Sequence, residues 1–148
     1  MADERMTQEH LTGTWQAVYS EVNGELASVA HTGIIRHIYV ANRFQVSLEE
    51  EIVHEGTYSL SDKTTPHQIT FVYTKSSHFE LNKPRVGIIQ LVGNTSKICL
   101  GEVGAHAPTG FNTVSRSNTT LIVLQKHGFE AGRSIKELAA ITTKSTLW

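Results

Sequence analysis

Short runs rich in Val, Ile, Thr, Tyr and Phe recur about every 8 to 12 residues, and no other feature of the sequence restricts the fold as much. Gly, Asn, Asp, Ser or Pro separates each run from the next. This spacing is typical of an all-β antiparallel sandwich or barrel, in which every run forms one strand. We predict eight strands, near residues 12–21, 32–40, 43–49, 52–60, 67–74, 85–92, 95–101 and 119–126.

The residues between the runs predict that strands pair in the order in which they occur. Asn23-Gly24 and Gly93-Asn94 favour the positive φ angles of tight hairpins. Sequential hairpins give an up-and-down meander, and eight such strands close into a barrel wide enough for one small ligand. Residues 102–118 lack sustained alternation, and their interpretations as a lid or as a surface loop both stay open.

The chain is predicted to form a single domain over residues 1–148, with the barrel at about 11–127. After the last strand, Ser134 and Glu137 have the spacing of a capping box, in which each residue satisfies a free amide at a helix start. Apolar residues follow at helical intervals. We therefore predict a short C-terminal helix over about 134–142.

Charge and composition argue against several classes of partner. There are 13 Lys and Arg residues against 14 Asp and Glu, so nothing favours a nucleic acid or an anionic membrane. No stretch approaches the roughly 18 apolar residues of a transmembrane helix, so membrane insertion is not expected. The amino terminus lacks the apolar core of a secretory signal, and the single cysteine, Cys99, cannot form an internal disulfide. We therefore predict a cytoplasmic protein.

Motifs for the commonest catalytic chemistries are missing from the sequence. It contains no glycine-rich phosphate loop, nucleophile elbow or paired-cysteine motif, which argues against nucleotide hydrolysis, serine hydrolysis and thiol redox chemistry. The eight histidines are scattered over predicted strands and loops, and none are spaced as His-x-His or His-x-x-x-His. We therefore predict no metal site and no cofactor.

One motif near each end of the predicted barrel links the sequence to a known fold. Gly13-Thr14-Trp15 opens the first strand, and Lys126 ends the last strand. Together these residues resemble the pattern of the lipocalin and wider calycin superfamily. The resemblance implies that Trp15 plugs one end of the barrel while a basic side chain, here Lys126, lies over its indole in a cation–π contact. Gly13, Trp15 and Lys126 are therefore expected to have structural roles.

A narrower resemblance, to a poorly characterised group of small lipocalin-like domains, covers roughly residues 9–127. It depends on the order and spacing of several blocks: Leu11–Trp15, Gly56–Leu60, Pro66 with Ile69 and Phe71, Gly87–Leu91 with Gly93, Lys97–Leu100, Pro108–Phe111 and Leu121–Lys126. Two positions depart from the group, since Ala107 stands in place of an arginine and Asn94 in place of an aspartate. A ligand-holding role of that arginine therefore cannot be transferred to this chain.

Strand alternation predicts which side chains line the barrel. Successive residues of a strand point to opposite faces, so His54 and Tyr58 share one face, and so do Phe71 and Tyr73. An apolar interior with a few polar groups is typical of small-molecule sites. The candidate ligand-binding residues are Tyr19, Arg36, Phe71, Tyr73 and Ile89.

The adjacent residues Arg36 and His37 interrupt an otherwise apolar strand, so one of them should point into the barrel. The sequence does not decide which. An inward arginine requires an anionic partner, because an unpaired charge in an apolar cavity is costly. Arg36 is therefore a candidate anchor for a carboxylate or an enolate, and the alternative is that it faces solvent.

These features favour binding of a small hydrophobic or amphipathic molecule inside the barrel. A cofactor-free cyclase or isomerase acting on a natural-product intermediate is the first alternative, with His37, His54 and Tyr58 as its proton-transfer groups. A second alternative is a scaffold that binds another protein through an exposed edge or the C-terminal helix. The sequence leaves open both a homodimer and the identity of the small molecule.

Overall fold

The computed structural model describes residues 7–127, and each of the eight predicted runs contains a strand. In addition, a short strand and two short helices are present. The elements are α1 (Gln8–Leu11), β1 (Gly13–Val22), β2 (Glu25–Leu26), α2 (Val29–Gly33), β3 (Ile35–Val40), β4 (Arg43–Leu48), β5 (Glu51–Ser61), β6 (His67–Ser76), β7 (Pro84–Val92), β8 (Thr95–Leu100) and β9 (Thr120–Lys126).

Eight of these strands form a closed antiparallel barrel. Each strand from β3 to β8 pairs with the next along the chain, β1 pairs with β3, and β9 returns to pair with β1. The closing ladder runs from Trp15 opposite Lys126 to Val22 opposite Thr120. The predicted fold class, an eight-stranded up-and-down barrel, is therefore confirmed.

The turn at Asn23-Gly24 forms the tight hairpin that its sequence predicts. Both residues have positive φ angles, of 54° and 82°. They connect β1 to the two-residue strand β2, which pairs with the end of β1 and does not take part in barrel closure. This extra strand is too short to produce an alternating pattern that sequence analysis can detect.

The predicted strand at 32–40 is confirmed only from Ile35 onward. The preceding residues form the helix α2, which begins because the Ser28 hydroxyl accepts a hydrogen bond from the His31 amide over 3.0 Å. The buried Thr32 hydroxyl lies 2.8 Å from the hydroxyl of Ser20 and joins this helix to β1. Within the described residues, neither helix is long enough to cross a membrane.

The segment 102–118 contains no strand or helix, as its sequence predicts. Its predicted roles as a lid or a surface loop stay predictions. The predicted helix over about 134–142 lies outside the described residues.

One end of the barrel is closed by side chains from both termini of the described chain. Trp15 is fully buried there, and its indole Nε1 donates a hydrogen bond to the Leu11 carbonyl over 2.8 Å. The Lys126 ammonium lies 5.6 Å from the centroid of the indole and donates to the His10 carbonyl over 3.2 Å. The cation–π contact implied by the resemblance is therefore present, and it joins the first barrel strand to the last.

Candidate ligand-binding cavity

A cavity of about 900 Å³ occupies the half of the barrel opposite Trp15. It lies among the later residues of β1 and the first residues of β9, and loops between other strands form its mouth. Its apolar lining is Val22, Ile35, Phe44, Val46, Leu48, Val53, Phe71, Phe79, Leu100, Val103 and Ile122. Its polar lining is Asn23, His31, His37, His54, Tyr73, Ser77, His78, Glu80, Arg85, Glu102, Asn118 and Thr120.

An aromatic wall forms one side of the cavity. The ring of Phe44 meets the rings of Phe71 and Tyr73 edge to face, with centroids 4.8 and 5.5 Å apart. The ring of Phe79 stacks on Tyr73 at 4.8 Å. Phe71 and Tyr73 therefore line the cavity, where strand alternation places them. These rings offer a rigid apolar surface to a ligand.

His37, and not Arg36, points into the barrel. His37 pairs with the buried Trp15 in the ladder between β3 and β1, and it is only 7% exposed. Arg36 lies on the other face of β3, where its Nε donates to the Gln16 side chain over 3.1 Å, and it does not line the cavity. The interpretation of Arg36 as an inward anchor is therefore corrected, since Gln16 already binds its guanidinium on the outer face.

The buried His37 is held in its uncharged form. The pKa of His37 is lowered to about 4, chiefly by burial and in addition by electrostatic repulsion from His54 and Arg85. Its Nδ1 lies 3.0 Å from the Tyr39 hydroxyl. Burial also raises the pKa of Tyr39, so the pair is neutral at pH 7. His37 therefore offers a ligand a polar contact without a charge.

His54 is the second imidazole of the cavity. Its Nδ1 lies 2.8 Å from the Ser76 hydroxyl, across the ladder between β5 and β6. Its ring lies 5.5 Å from the ring of Tyr73. Burial lowers the pKa of His54 to about 4, with His78 and Arg85 as additional causes. The structure thus places two uncharged imidazoles, on β3 and β5, around one cavity.

Arg85 is a buried charged residue of the cavity that the sequence analysis did not predict. It is 7% exposed; its Nε donates to the Gly101 carbonyl over 2.7 Å and its Nη1 donates to the Tyr73 hydroxyl over 3.0 Å. The guanidinium carbon lies 4.4 Å from the centroid of Phe79. Within residues 7–127, no carboxylate forms an ion pair with it. Arg85 lies four residues before Ile89 on the same strand, so both side chains point to the same face. Because Ile89 was predicted to point inward, this spacing could have placed Arg85 inside the barrel.

Tyr58 and Ile89 point into the barrel but do not line the cavity. Tyr58 is 3% exposed and its ring lies 5.1 Å from that of Tyr39. Its hydroxyl has no hydrogen-bond partner among the described residues, and burial raises the pKa of Tyr58 to about 12. The structure therefore brings His37 and His54 to one cavity and places the third predicted proton-transfer group among core side chains.

Tyr19 lies outside the barrel, contrary to its predicted place in the lining. The register between β1 and β9 shifts between Ala17 and Tyr19, so Val18 is an extra residue in β1. This β-bulge reverses the alternation that follows it, and Tyr19 turns away from the cavity. Its hydroxyl donates to the Glu21 carboxylate, and this hydrogen bond raises the pKa of Tyr19.

Comparison with protein-family models, with curated proteins and with solved structures finds no match to this chain. The closed eight-stranded antiparallel barrel is consistent with a lipocalin-like fold. Among residues 7–127, no cluster of three or more His, Cys, Asp or Glu side chains has an arrangement that could hold a metal ion.

Proposed function

We propose that this protein binds a small hydrophobic or amphipathic molecule inside its lipocalin-like barrel. The observation that supports this proposal is the cavity of about 900 Å³, which has an aromatic wall and in which three of the polar lining residues, His37, Tyr73 and Arg85, are buried. Small-molecule sites commonly combine a mostly apolar lining with a small number of placed polar groups. Because Trp15 closes one end of the barrel, such a molecule would enter through the mouth at the other end.

Apolar burial would supply most of the affinity. Each buried methylene contributes about 0.8 kcal/mol, so a chain of about ten methylenes contributes about 8 kcal/mol before the cost of association. Phe44, Phe71 and Phe79 would contact the apolar part of the ligand. His37 and His54 would fix its orientation through hydrogen bonds, because each is uncharged and lines the cavity.

The test uses N-phenyl-1-naphthylamine, an uncharged probe whose fluorescence rises in apolar surroundings. We expect saturable binding to the wild-type protein. Val46→Trp should lower the affinity at least about tenfold, because the larger side chain fills space that the ligand needs. Val40→Trp is the matched control, since Val40 is 61% exposed at the end of β3 near Trp15. Absence of probe binding, or equal affinities for both variants, would contradict the proposal.

A second candidate function is a cofactor-free cyclase or isomerase. The observation that favours it is that two uncharged imidazoles line the same cavity as a buried arginine. A neutral imidazole can accept a proton while a guanidinium stabilises developing negative charge.

Chromatography with mass spectrometry tests this second candidate, because cyclisation and isomerisation leave molecular mass unchanged. Molecules retained by the purified protein would be incubated with fresh protein and with His37→Gln, His54→Gln protein. A new peak of unchanged mass that only the wild-type protein produces supports catalysis. Identical traces with both proteins support binding alone.

A further inference from the structure

The barrel contains a cation whose charge the described residues do not neutralise. Arg85 is 7% exposed and lines the cavity, yet within residues 7–127 the ion pairs are Glu55 with Lys75 and Glu80 with Lys83. A buried charge is costly unless an opposite charge or several hydrogen bonds accompany it. Two hydrogen bonds make the burial of Arg85 tolerable, but within residues 7–127 no carboxylate pairs with it. The cavity therefore offers an anionic ligand a cation that is not neutralised.

We propose that Arg85 binds the carboxylate of an amphipathic ligand whose apolar part fills the rest of the cavity. This inference rests on the proposed function and adds the chemical class of the ligand, an amphipathic carboxylic acid in its ionised form. Carboxylates are the planar anions that match the fork of a guanidinium, which can donate two parallel hydrogen bonds to them.

The guanidinium is already fixed in position and keeps free donors. Two of its five N–H groups donate to the Gly101 carbonyl and the Tyr73 hydroxyl. The guanidinium carbon lies 4.4 Å from the centroid of the Phe79 ring, and three of the five N–H groups remain for a ligand. Because the contacts with Gly101 and Tyr73 hold the side chain before binding, little conformational entropy is lost when the anion arrives.

The charged and titratable groups around Arg85 favour an anion at this position. The imidazoles of His37 and His54 face the cavity from β3 and β5 and are uncharged at pH 7, because burial lowers the pKa of each. The exposed His78, Glu80 and Glu102 lie at the mouth, and Glu80 is paired with Lys83 over 2.9 Å. Inside the mouth, therefore, the described residues contribute one positive charge and no carboxylate.

The experiment compares two ligands that differ only in the charged group. Dodecanoic acid and 1-dodecanol would each displace N-phenyl-1-naphthylamine from the wild-type protein at neutral pH. We expect the acid to bind about tenfold more tightly or better, as charge-assisted hydrogen bonds allow. Arg85→Gln should remove this preference, so that the acid and the alcohol bind the variant with similar affinities. Arg36→Gln is the matched control, because it removes the same charge from the outer face of β3.

A measurement on the wild-type protein covers the case in which Arg85→Gln does not fold. The Nε–H signal of Arg85 in a proton–nitrogen correlation spectrum should shift on addition of dodecanoic acid and stay in place with 1-dodecanol. Equal wild-type affinities for the two ligands would overturn the inference and leave the proposed function standing. A preference for the acid that survives in Arg85→Gln would also overturn it. Failure of all three probes to bind would instead contradict the proposed function.

Discussion

The Lys126 ammonium lies 5.6 Å from the ring centroid of Trp15, so the last residue of the final barrel strand covers a side chain near the start of the first. These two residues are also directly opposite each other in the ladder that closes the barrel. The contact therefore stabilises the closed end, while the ligand cavity lies at the other end. This separation predicts that stability and ligand affinity respond to different substitutions.

Lys126→Met should lower the free energy of unfolding by about 1 kcal/mol, because it keeps the aliphatic packing and removes the cation from the indole face. Urea denaturation measures the change. Lys75→Met is the control, since Lys75 is 71% exposed and its ammonium lies 3.8 Å from the Glu55 carboxylate. The affinity for N-phenyl-1-naphthylamine should be unchanged in both variants. Equal stability of Lys126→Met and the wild type would contradict a stabilising role for the contact.

Gly13→Ala should destabilise the protein by about 1 to 2 kcal/mol. Gly13 has a φ of 135°, and a Cβ atom there would lie 2.9 Å from Cε of Lys126. Gly33→Ala is the matched control, because nothing lies within 4 Å of its Cβ position. Thermal denaturation measures the loss of stability of each variant relative to the wild type. An equal or smaller loss in Gly13→Ala than in Gly33→Ala would show that the backbone there tolerates a side chain.

His37 should make the fold sensitive to acid. Its pKa is about 4 in the folded protein against 6.5 as the ordinary value, so the unfolded chain binds the proton first as pH falls. The contribution of His37 is therefore fully present above about pH 6.5 and is lost between there and about pH 4, by up to about 3 kcal/mol. Urea denaturation across this range should show a shallower loss in His37→Gln than in the wild type. Equal losses in His37→Gln and the wild type would contradict this role of His37.

The β-bulge at Val18 predicts opposite outcomes for two tyrosines. Tyr19→Phe should leave the affinity for dodecanoic acid unchanged, because Tyr19 faces outward and donates to Glu21. Tyr73→Phe should lower that affinity about threefold to tenfold, since its hydroxyl accepts a hydrogen bond from Arg85 and helps to orient it. Isothermal titration calorimetry measures both. A larger loss in Tyr19→Phe would contradict the outward placement of that residue.

The strands could be predicted from sequence because period-two alternation and turn residues are local signals. The bulge in β1 could not, because an extra residue at Val18 becomes visible only when β9 is paired beside it. Tyr19 was misplaced for this reason. The choice between Arg36 and His37 required the position of Gln16, which binds Arg36 on the outer face.

The missed residue, Arg85, illustrates a different limit. It shares a face with Ile89, which was predicted to point inward, so alternation alone would have placed the arginine in the barrel. Its expected cost in an apolar interior argues against that placement unless a ligand is considered. Long-range partners such as the Gly101 carbonyl and Tyr73 hydroxyl, which make the burial tolerable, carry no local sequence signal.

A crystal structure of the protein grown with dodecanoic acid would show where the ligand binds. We expect one molecule inside the barrel, with its carboxylate within hydrogen-bond distance of the Arg85 guanidinium and its chain against Phe44 and Phe71. A barrel interior without the acid, or an acid bound only on the outer surface, would contradict this expectation.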